Sequence, residues 1–424
     1  MVGIDTTCKT ECLKMLKSNI KLMETNSIYE GDNLEILNKF PNESIDLIYL
    51  DPPFFSNQQY EKIWGDKQEI MSFEDRWAGG IEHYILWMEP RLRECHRILK
   101  NTGSIYLHCD WHADAHLRIL MDKIFGDSNF RNEIVWHYKK WSAGWQQFQR
   151  NHDIILFYSK SSNQKRVFNK IFMDRALSTL KRFGNAKIIS GFDERTGKRI
   201  PSQMSKEKSE GVPMDDVWDI GRVPPVKQMF PTQKPEALLD RIVQASSNEG
   251  DIVLDCFCGC GTTLISANRL KRKWIGIDVS PTACKVMAKR LKEEFKIKVQ
   301  IVRGEVDINY VKKLKPFEFQ NWVVIDKFLG TASKTKSGDM GIDGFTPFVT
   351  GGCPIQVKQS EDIGRNVIDN FETAIRRLNK KKGYIVAFSF GKGAVEEVAR
   401  VKNQEGITII LRTIKDLLNG KIEE

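Results

Sequence analysis

The sequence predicts an α/β protein: a doubly wound, largely parallel sheet followed by a smaller α/β unit. Three observations carry this expectation. Short apolar runs end abruptly at Pro or Gly, helical stretches lie between those runs, and a second set of strands and helices begins at about Pro316. Strands that alternate with helices build a sheet covered on both faces. With 424 residues, the chain has length for two or three packed units.

The first strong strand is Ser44 to Leu50, which stops at Asp51-Pro52-Pro53, where prolines remove the ladder donors. A helix is expected from Tyr84 to Leu99, leading through Asn101-Thr102-Gly103 into a strand, Ser104 to His108. Another helix, Ala113 to Phe125, stops near Gly126, and strand-like runs follow at Glu133 to Tyr138 and Asp153 to Tyr158. Between residues 161 and 227 the alternation fades into a polar stretch with 14 Lys+Arg against 8 Asp+Glu, which is +6 of the chain's +10. Such a stretch is either a solvated insertion or a module that contacts nucleic acid. The pattern then resumes with helix Pro235 to Ser247, strand Asp251 to Asp255, a glycine turn, helix Thr262 to Leu270, strand Trp274 to Asp278 and helix Pro281 to Phe295.

A charge of +10 makes a polyanion a better partner than an acidic protein. Nine cysteines without framework spacing, and an N-terminus without a basic-then-apolar pattern, fit a reducing, cytoplasmic setting. No apolar run approaches the roughly 20 residues that span a bilayer, so no membrane partner is expected.

Asp51-Pro52-Pro53-Phe54 suits one kind of chemistry. The exocyclic amine of adenine or cytosine is a poor nucleophile because its lone pair is delocalised into the ring. A carboxylate and a backbone carbonyl that both accept from the amine would localise that pair. Asp51 supplies the carboxylate, Pro52 or Pro53 a carbonyl without a competing N–H, and Phe54 a face on which an extruded base stacks. Taken alone, the tetrapeptide is equally consistent with a turn after a strand. Asp255-Cys-Phe257-Cys-Gly259-Cys-Gly261-Thr262-Thr263 then follows a strand and opens a helix, as a close-approach ligand turn does. Asp278 stands 23 residues beyond Asp255, where an acid bonds ribose hydroxyls. The spacing does not separate a dinucleotide from S-adenosylmethionine.

Seven pieces in order resemble the β group of DNA amino-methyltransferases, in which the catalytic motif precedes the glycine-rich one. They are Gly31 to Leu37, Asp51 to Phe54, Gly103 to Asp110, Asn132 to Tyr138, Asp216 to Ile220, Pro231 to Pro235 and Asp255 to Thr263, spanning about residues 28 to 295. The resemblance implies a Rossmann-like methyltransferase domain that takes S-adenosylmethionine, with a catalytic half at 1–160, a target recognition insertion at 161–228 and a cofactor half at 229–305. It implies catalytic roles for Asp51, Pro52, Pro53 and Phe54. Gln233, Lys234, Asp255, Phe257, Gly259, Gly261 and Thr262 would surround the methionine part, Asp278 the ribose, and Asp32 the adenine. Cys256 and Cys260 stand where the family usually has proline and serine. Asp rather than Ser before Pro-Pro favours adenine N6 over cytosine N4, with RNA methylation as an alternative. The absence of a Pro-Cys dipeptide argues against cytosine C5 chemistry. The implied partner is double-stranded DNA, and a homodimer is an admissible assembly.

Three further constellations stand out. Cys256, Cys258 and Cys260 alternate, but structural zinc sites use a different spacing and a second pair. His112 and His116 stand i, i+4, which on a helix would allow zinc. Trp136, Tyr138, Trp141, Trp145 and Phe148, interleaved with Lys139, Lys140 and Arg150, are read as a DNA-contacting, base-holding wall.

Residues 306–424 need a separate account. Gln356-Val357-Lys358 lies thirteen residues beyond Asp343, and positions 356 and 358 share one strand face. Asp343 and Gln356 would hold Mg²⁺ while Lys358 activates a hydrolytic water. The segment from about 316 to 400 is similar to Mrr-like nucleases of the PD-(D/E)XK class, with Asp339 or Glu318 as a further acid. This implies a restriction-endonuclease-like domain in a restriction-modification setting, or the same fold kept for DNA binding alone.

Overall fold

The computed structural model describes residues 23–55, 59–64, 69–74, 80–139, 146–162, 166–193, 195–228, 233–304, 306–333 and 341–422. In chain order the first half contributes β1 (Ser27–Glu30), α1 (Asn33–Leu37), β2 (Ile45–Leu50) and a hairpin, β3 (Gln59–Trp64) with β4 (Glu69–Glu74). Then come α2 (Gly80–Ile98), β5 (Leu99–Cys109), α3 (Asp114–Phe125), β6 (Phe130–His137) and β7 (His152–Ser159). The insertion holds β8 (Phe172–Met173), α4 (Leu177–Phe183), β9 (Ala186–Phe192), β10 (Arg199–Lys208) and β11 (Val212–Pro213). β12 (Val217–Asp219), α5 (Glu236–Ser246), β13 (Ile252–Asp255), α6 (Thr262–Arg269), β14 (Lys273–Asp278), α7 (Pro281–Phe295) and β15 (Gln300–Arg303) complete the large unit.

Among the described residues, nine strands form one sheet in the order β12-β6-β7-β5-β2-β13-β14-β1-β15. Every neighbouring pair is parallel except those made by β7, which runs against β5 and β6. β2 shows why the sheet is covered on both sides. Leu47 and Tyr49 pack with α5 and α6, while Ile45, Ile48 and Leu50 pack with α2 and α3, so all six residues are buried. β2 and β13 lie side by side with Tyr49 opposite Asp255, although one strand comes from each half of the chain. Their carboxyl ends open at the place where doubly wound sheets hold ligands.

Three departures from the sequence reading concern this sheet. β1 and β15 belong to it, and neither was expected. Ser27 and Glu30 are buried in β1 despite their polarity, which hides a four-residue strand from any apolar pattern. β12 lies inside the stretch 161–228 assigned to the insertion, yet it pairs with β6 at the sheet edge. Trp136 and Tyr138 are core residues rather than a DNA-facing wall: both are buried, and Trp136 Nε1 donates to the Ile220 carbonyl at 2.7 Å. Trp141, Trp145 and Lys140 lie outside the described residues. Phe148 is exposed, and Arg150 stacks 3.8 Å from the Trp111 ring centre.

The C-terminal unit continues with α8 (Ile308–Lys313), α9 (Pro316–Asn321), a π-helical turn at Trp322–Lys327, β16 (Thr331–Ala332), β17 (Gly344–Phe345) and β18 (Pro354–Val357). It ends with α10 (Arg365–Arg377), β19 (Lys382–Ala387), α11 (Lys392–Glu405), β20 (Thr408–Thr413) and α12 (Ile414–Leu418). Its five strands lie in sequence order, antiparallel from β16 to β18 and parallel from β18 to β20. α10 and α11 cover one face through Phe371, Ile375 and Val401, while α9, the π-helical turn and α12 cover the other through Phe319, Val323 and Leu417. Polar contacts fasten this unit to the first. Ser280 Oγ and Thr282 Oγ1, at the start of α7, donate to the Glu318 carboxylate, and Tyr310 Oη donates to Glu30 at 2.6 Å. Among the described residues, no helix is long and apolar enough to cross a membrane.

Candidate active site

β2 ends at Asp51, and the chain turns sharply over Pro52 and Pro53. Phe55 takes a φ of 62°, a left-handed conformation that costs a non-glycine residue about 1–2 kcal/mol. Both Asp51 oxygens accept from Lys234 Nζ, at 2.7 and 2.6 Å. The Phe54 ring centre lies 4.9 Å from the same ammonium and 5.2 Å from the His108 ring.

Beneath this loop is a buried polar network. His108, at the end of β5, has Nδ1 2.8 Å from Tyr49 Oη and 3.8 Å from Asp51 Oδ1. Its Nε2 lies 3.3 Å from Asp153, whose other oxygen accepts from Tyr138 Oη at 2.7 Å. Burial raises the Asp153 pKa, but hydrogen bonding and charge from His108, the nearby Lys234 charge and the Tyr138 bond outweigh it and leave the group below the usual carboxylate value.

The glycine turn joins β13 to α6. Gly259 and Gly261 have φ of 52° and 76°, and a Cβ on Gly261 would lie 2.7 Å from Met287 Cγ. Asp255 is buried at the base of the turn and accepts from Thr263 Oγ1 at 2.6 Å and from the Phe257 amide at 2.9 Å. Burial dominates, pushing its pKa up to about 7. Asp278, at the end of β14, accepts from the Gly259 and Ser280 amides at 2.8 and 2.9 Å, and burial lifts it to about 6.

α2 supplies the facing wall. Tyr84, Trp87 and Arg91 follow one another at helical spacing. Their rings continue from Phe55 through Tyr84 and Trp87 to Phe257, with centres 5.9 to 6.3 Å apart. Arg91 lies over Trp87 and donates to Asp32 and to Asn33 Oδ1, both at 2.7 Å. Asn33 Nδ2 donates in turn to the Cys256 carbonyl at 3.0 Å, tying α1 to the glycine turn.

Asp51, Pro52, Pro53, Phe54, Lys234, Asp255, Phe257, Gly259, Gly261, Thr262, Asp278 and Asp32 therefore gather at the carboxyl edge of β1, β2, β13 and β14, with Gln233 next to Lys234 on the turn before α5. Arg91, Trp87, His108 and Asp153 join them without having been singled out for this site. Helical spacing from Tyr84 to Arg91 and the end of an apolar strand at His108 were the available signals. The metal readings find no support here. Cys256, Cys258 and Cys260 are buried within the glycine turn, and His112 precedes α3 and pairs with Asp110 instead of sharing a helix with His116. Among the described residues, the one cluster with metal-ligand spacing is Asp369, Glu372 and Glu397, which Arg365, Arg376 and Arg400 already neutralise.

The second group lies in the C-terminal unit. Asp343 Oδ2 accepts from the Val357 amide at 2.7 Å, and the Asp343 amide donates to Ile355 at 2.9 Å, so this aspartate sits against β18. Gln356 is buried, its Oε1 has no hydrogen bond among the described residues, and the Lys358 amide donates to Val386 at 2.9 Å. Glu318 is absent from this group because Ser280 and Thr282 hold it. Asp339 lies outside the described residues.

An acid-flanked glycine turn beside an Asp-Pro-Pro loop, at the ligand edge of a doubly wound sheet, defines a nucleotide-type cofactor site with a reactive carboxylate next to it. Family comparison makes this specific: the profile described as DNA methylase matches residues 45–290. The chain belongs to that family, and it is an S-adenosylmethionine-dependent DNA methyltransferase. It is 32% identical over 286 residues to the type II methyltransferase M.HinfI of Haemophilus influenzae, covering 66% of this chain and 71% of that protein. Over 274 residues it is 32% identical to the DNA adenine methyltransferase YhdJ of Escherichia coli (strain K12), covering 63% and 83% respectively. Solved structures similar to it include the M1.HpyAVI–SAM complex, at 20% identity and TM-score 0.38 over 62% of this chain and 99% of that one. The cytosine-N4-specific PvuII DNA methyltransferase is similar at 18% identity and TM-score 0.41, over 63% and 86%.

Proposed function

We propose that this methyltransferase acts on N6 of an adenine extruded from duplex DNA, with Asp51 as the group that localises the amine lone pair. The observation that carries the reading is Asp51-Pro-Pro closing β2 directly beside Asp255 and its glycine turn on β13. The residues fit the cofactor. Two positive-φ glycines shape the turn, with Gly261 packed tightly on Met287, Asp278 stands at the next strand end, and Phe257 and Trp87 offer aromatic faces beside Asp32 and Arg91. S-adenosylmethionine, when bound, supplies an electrophilic methyl on a cationic sulfur.

Asp51 and a Pro52 or Pro53 carbonyl accept from the two amine hydrogens, which pyramidalises the nitrogen and aims its lone pair. Phe54 packs the base, and after transfer Asp51 takes up the proton the nitrogen sheds. Asp before Pro-Pro resembles the adenine-specific members of the family more than the cytosine-specific ones, which carry Ser there more often, and this is what favours adenine in the reading. The insertion supports a DNA-facing role, since Phe192, Met204 and Ile189 are exposed on its hairpin among basic residues. Incubation with duplex DNA and methyl-labelled cofactor should label adenine N6, and Asp51→Ala should abolish it. Labelling of cytosine N4, preference for RNA in competition, or labelling that survives Asp51→Ala would overturn the corresponding part.

For the C-terminal unit we propose an endonuclease-like role in a restriction-modification setting, with Mg²⁺ held by Asp343 and Gln356 and Lys358 activating water. What supports this is a buried amide oxygen on Gln356 that has no hydrogen bond among the described residues, next to an aspartate on the same strand pair. Mg²⁺-dependent cleavage that disappears in Lys358→Ala is the expected result. DNA binding without cleavage under any methylation state would favour a binding domain.

A further inference from the structure

We propose that Lys234 serves two carboxylates in turn, Asp51 of the protein and the α-carboxylate of the cofactor, and so couples cofactor binding to release of the group that receives the base. The inference rests on the methyltransferase reading above and extends it to the order of events.

Lys234 Nζ holds both oxygens of Asp51, at 2.7 and 2.6 Å, in a pair whose side chains are only 9% and 18% exposed. An ion pair so shielded from water is strong. A carboxylate held in this way has its charge neutralised and its best lone pairs engaged, so it accepts weakly from an incoming amine. The position of Lys234 supplies the release. It holds Asp51 at the end of β2, and the adjacent strand β13 ends at Asp255 and the glycine turn, so the ammonium stands at the strand edge that the Asp51 loop and the cofactor turn share. The neighbouring acids have other partners of their own. Asp153 is bonded by His108 and Tyr138, Asp255 by Thr263 and Phe257, and Asp278 by two backbone amides.

Pro235 caps α5 and fixes the backbone next to Lys234, leaving the flexible four-carbon stem to make the move. A cofactor carboxylate near the turn is thus the anion that can draw the ammonium off Asp51. Before that exchange the site can hold a base only against a neutralised aspartate, so productive base binding follows cofactor binding.

The test is calorimetric and needs no turnover. S-adenosylhomocysteine carries the α-carboxylate; 5′-methylthioadenosine lacks the amino-acid end. Asp51→Asn in the full chain removes the competing charge with little change of shape. It should tighten S-adenosylhomocysteine binding by about tenfold and leave 5′-methylthioadenosine unchanged. Lys234→Met should weaken S-adenosylhomocysteine by at least about tenfold and erase the gain from Asp51→Asn in the double variant, whereas Lys234→Arg should retain part of it. Unchanged or weaker S-adenosylhomocysteine binding in Asp51→Asn, or equal responses of the two nucleosides, overturns the exchange while leaving the methyltransferase reading intact. Failure of the parent chain to bind either nucleoside overturns both.

Discussion

Asp255 should make the stability of this protein fall as pH rises, and the size of the effect can be worked from its surroundings. Burial, only partly offset by bonds from Thr263 and Phe257, lifts its pKa from 3.8 to about 7, with Asp51 and Asp278 pushing the same way. In the unfolded chain the group titrates near the ordinary aspartate value of about 3.9. Between those two values the folded state holds a proton that the unfolded state has lost, so the unfolding free energy decreases with rising pH and levels off above about 7. The whole displacement corresponds to at most about 4 kcal/mol. Asp278, lifted to about 6, adds a smaller loss of the same sign. Asp255→Asn keeps the shape and removes the charge. Relative to the parent chain, the variant should gain nothing near pH 4 and progressively more towards pH 8, and the gain should reach a plateau there. Urea midpoints followed by tryptophan fluorescence at each pH measure this directly. A cationic sulfonium favours the ionised acid, so cofactor binding should also tighten between pH 6 and 8, and more steeply in the parent than in the variant, where only Asp278 remains to ionise. Stability curves for the two proteins that run parallel across pH would refute the reasoning.

Other perturbations have equally definite outcomes. Arg91→Ala strips Asn33 Oδ1 of its donor and Asp32 of its ion pair, which should cost about 2–4 kcal/mol of stability and weaken S-adenosylhomocysteine binding by more than about tenfold in calorimetry. His108→Asn leaves Asp153 with Tyr138 alone and loosens the floor under Phe54; kcat for methyl transfer should fall by about 10- to 100-fold with little change in the cofactor KM. Glu318→Ala leaves the hydroxyls of Ser280 and Thr282 without their acceptor at the junction of the two units, so about 1–3 kcal/mol should be lost and limited proteolysis between α7 and α9 should accelerate.

The parts of the site that could be read from sequence are those marked by punctuation. Asp51 and Asp255 end apolar runs at a proline pair and a glycine turn, and a buried parallel strand must be apolar along its whole length, so its end is visible. Asp278 was visible for the same reason. What escaped notice was pairing between distant polar residues. Lys234 and Asp51 are 183 positions apart, His108 and Asp153 45, and Arg91 and Asp32 59, and no local periodicity records such contacts. Burial also reverses the expected meaning of some residues. Trp136 beside lysine looked like a nucleic-acid surface but fills the core, and Glu318 looked like a metal ligand but anchors one unit to another. β1 was invisible because half of its four side chains are polar and buried, and its partner strands lie about 250 or more residues further along the chain.

Four carboxylates share a small, poorly solvated region, and each is stabilised by a different device. Asp51 has a lysine, Asp153 a histidine and a tyrosine, Asp278 two backbone amides, and Asp255 one hydroxyl and one amide. For the last three, the devices rank as charge-capable ring, dipole pair and neutral donor, and the pKa values follow. Asp153 lies below the ordinary value, while Asp278 and Asp255 lie increasingly far above it. The two acids with the weakest compensation are the ones on the cofactor side of the crevice. That arrangement costs stability in the protein alone and is repaid when a cation enters, because an ionised Asp255 is worth most beside a positive charge in a low dielectric. Lys234 cannot provide that charge while it is committed to Asp51. The methyl donor, cationic at sulfur and anionic at its carboxylate, answers both needs at once: its positive end stabilises the under-compensated acids and its negative end relieves Asp51 of its counter-ion. Complementarity of this kind predicts that a neutral sulfur analogue loses most affinity above pH 7, where Asp255 as well as Asp278 is ionised, and that the loss is smaller in Asp255→Asn.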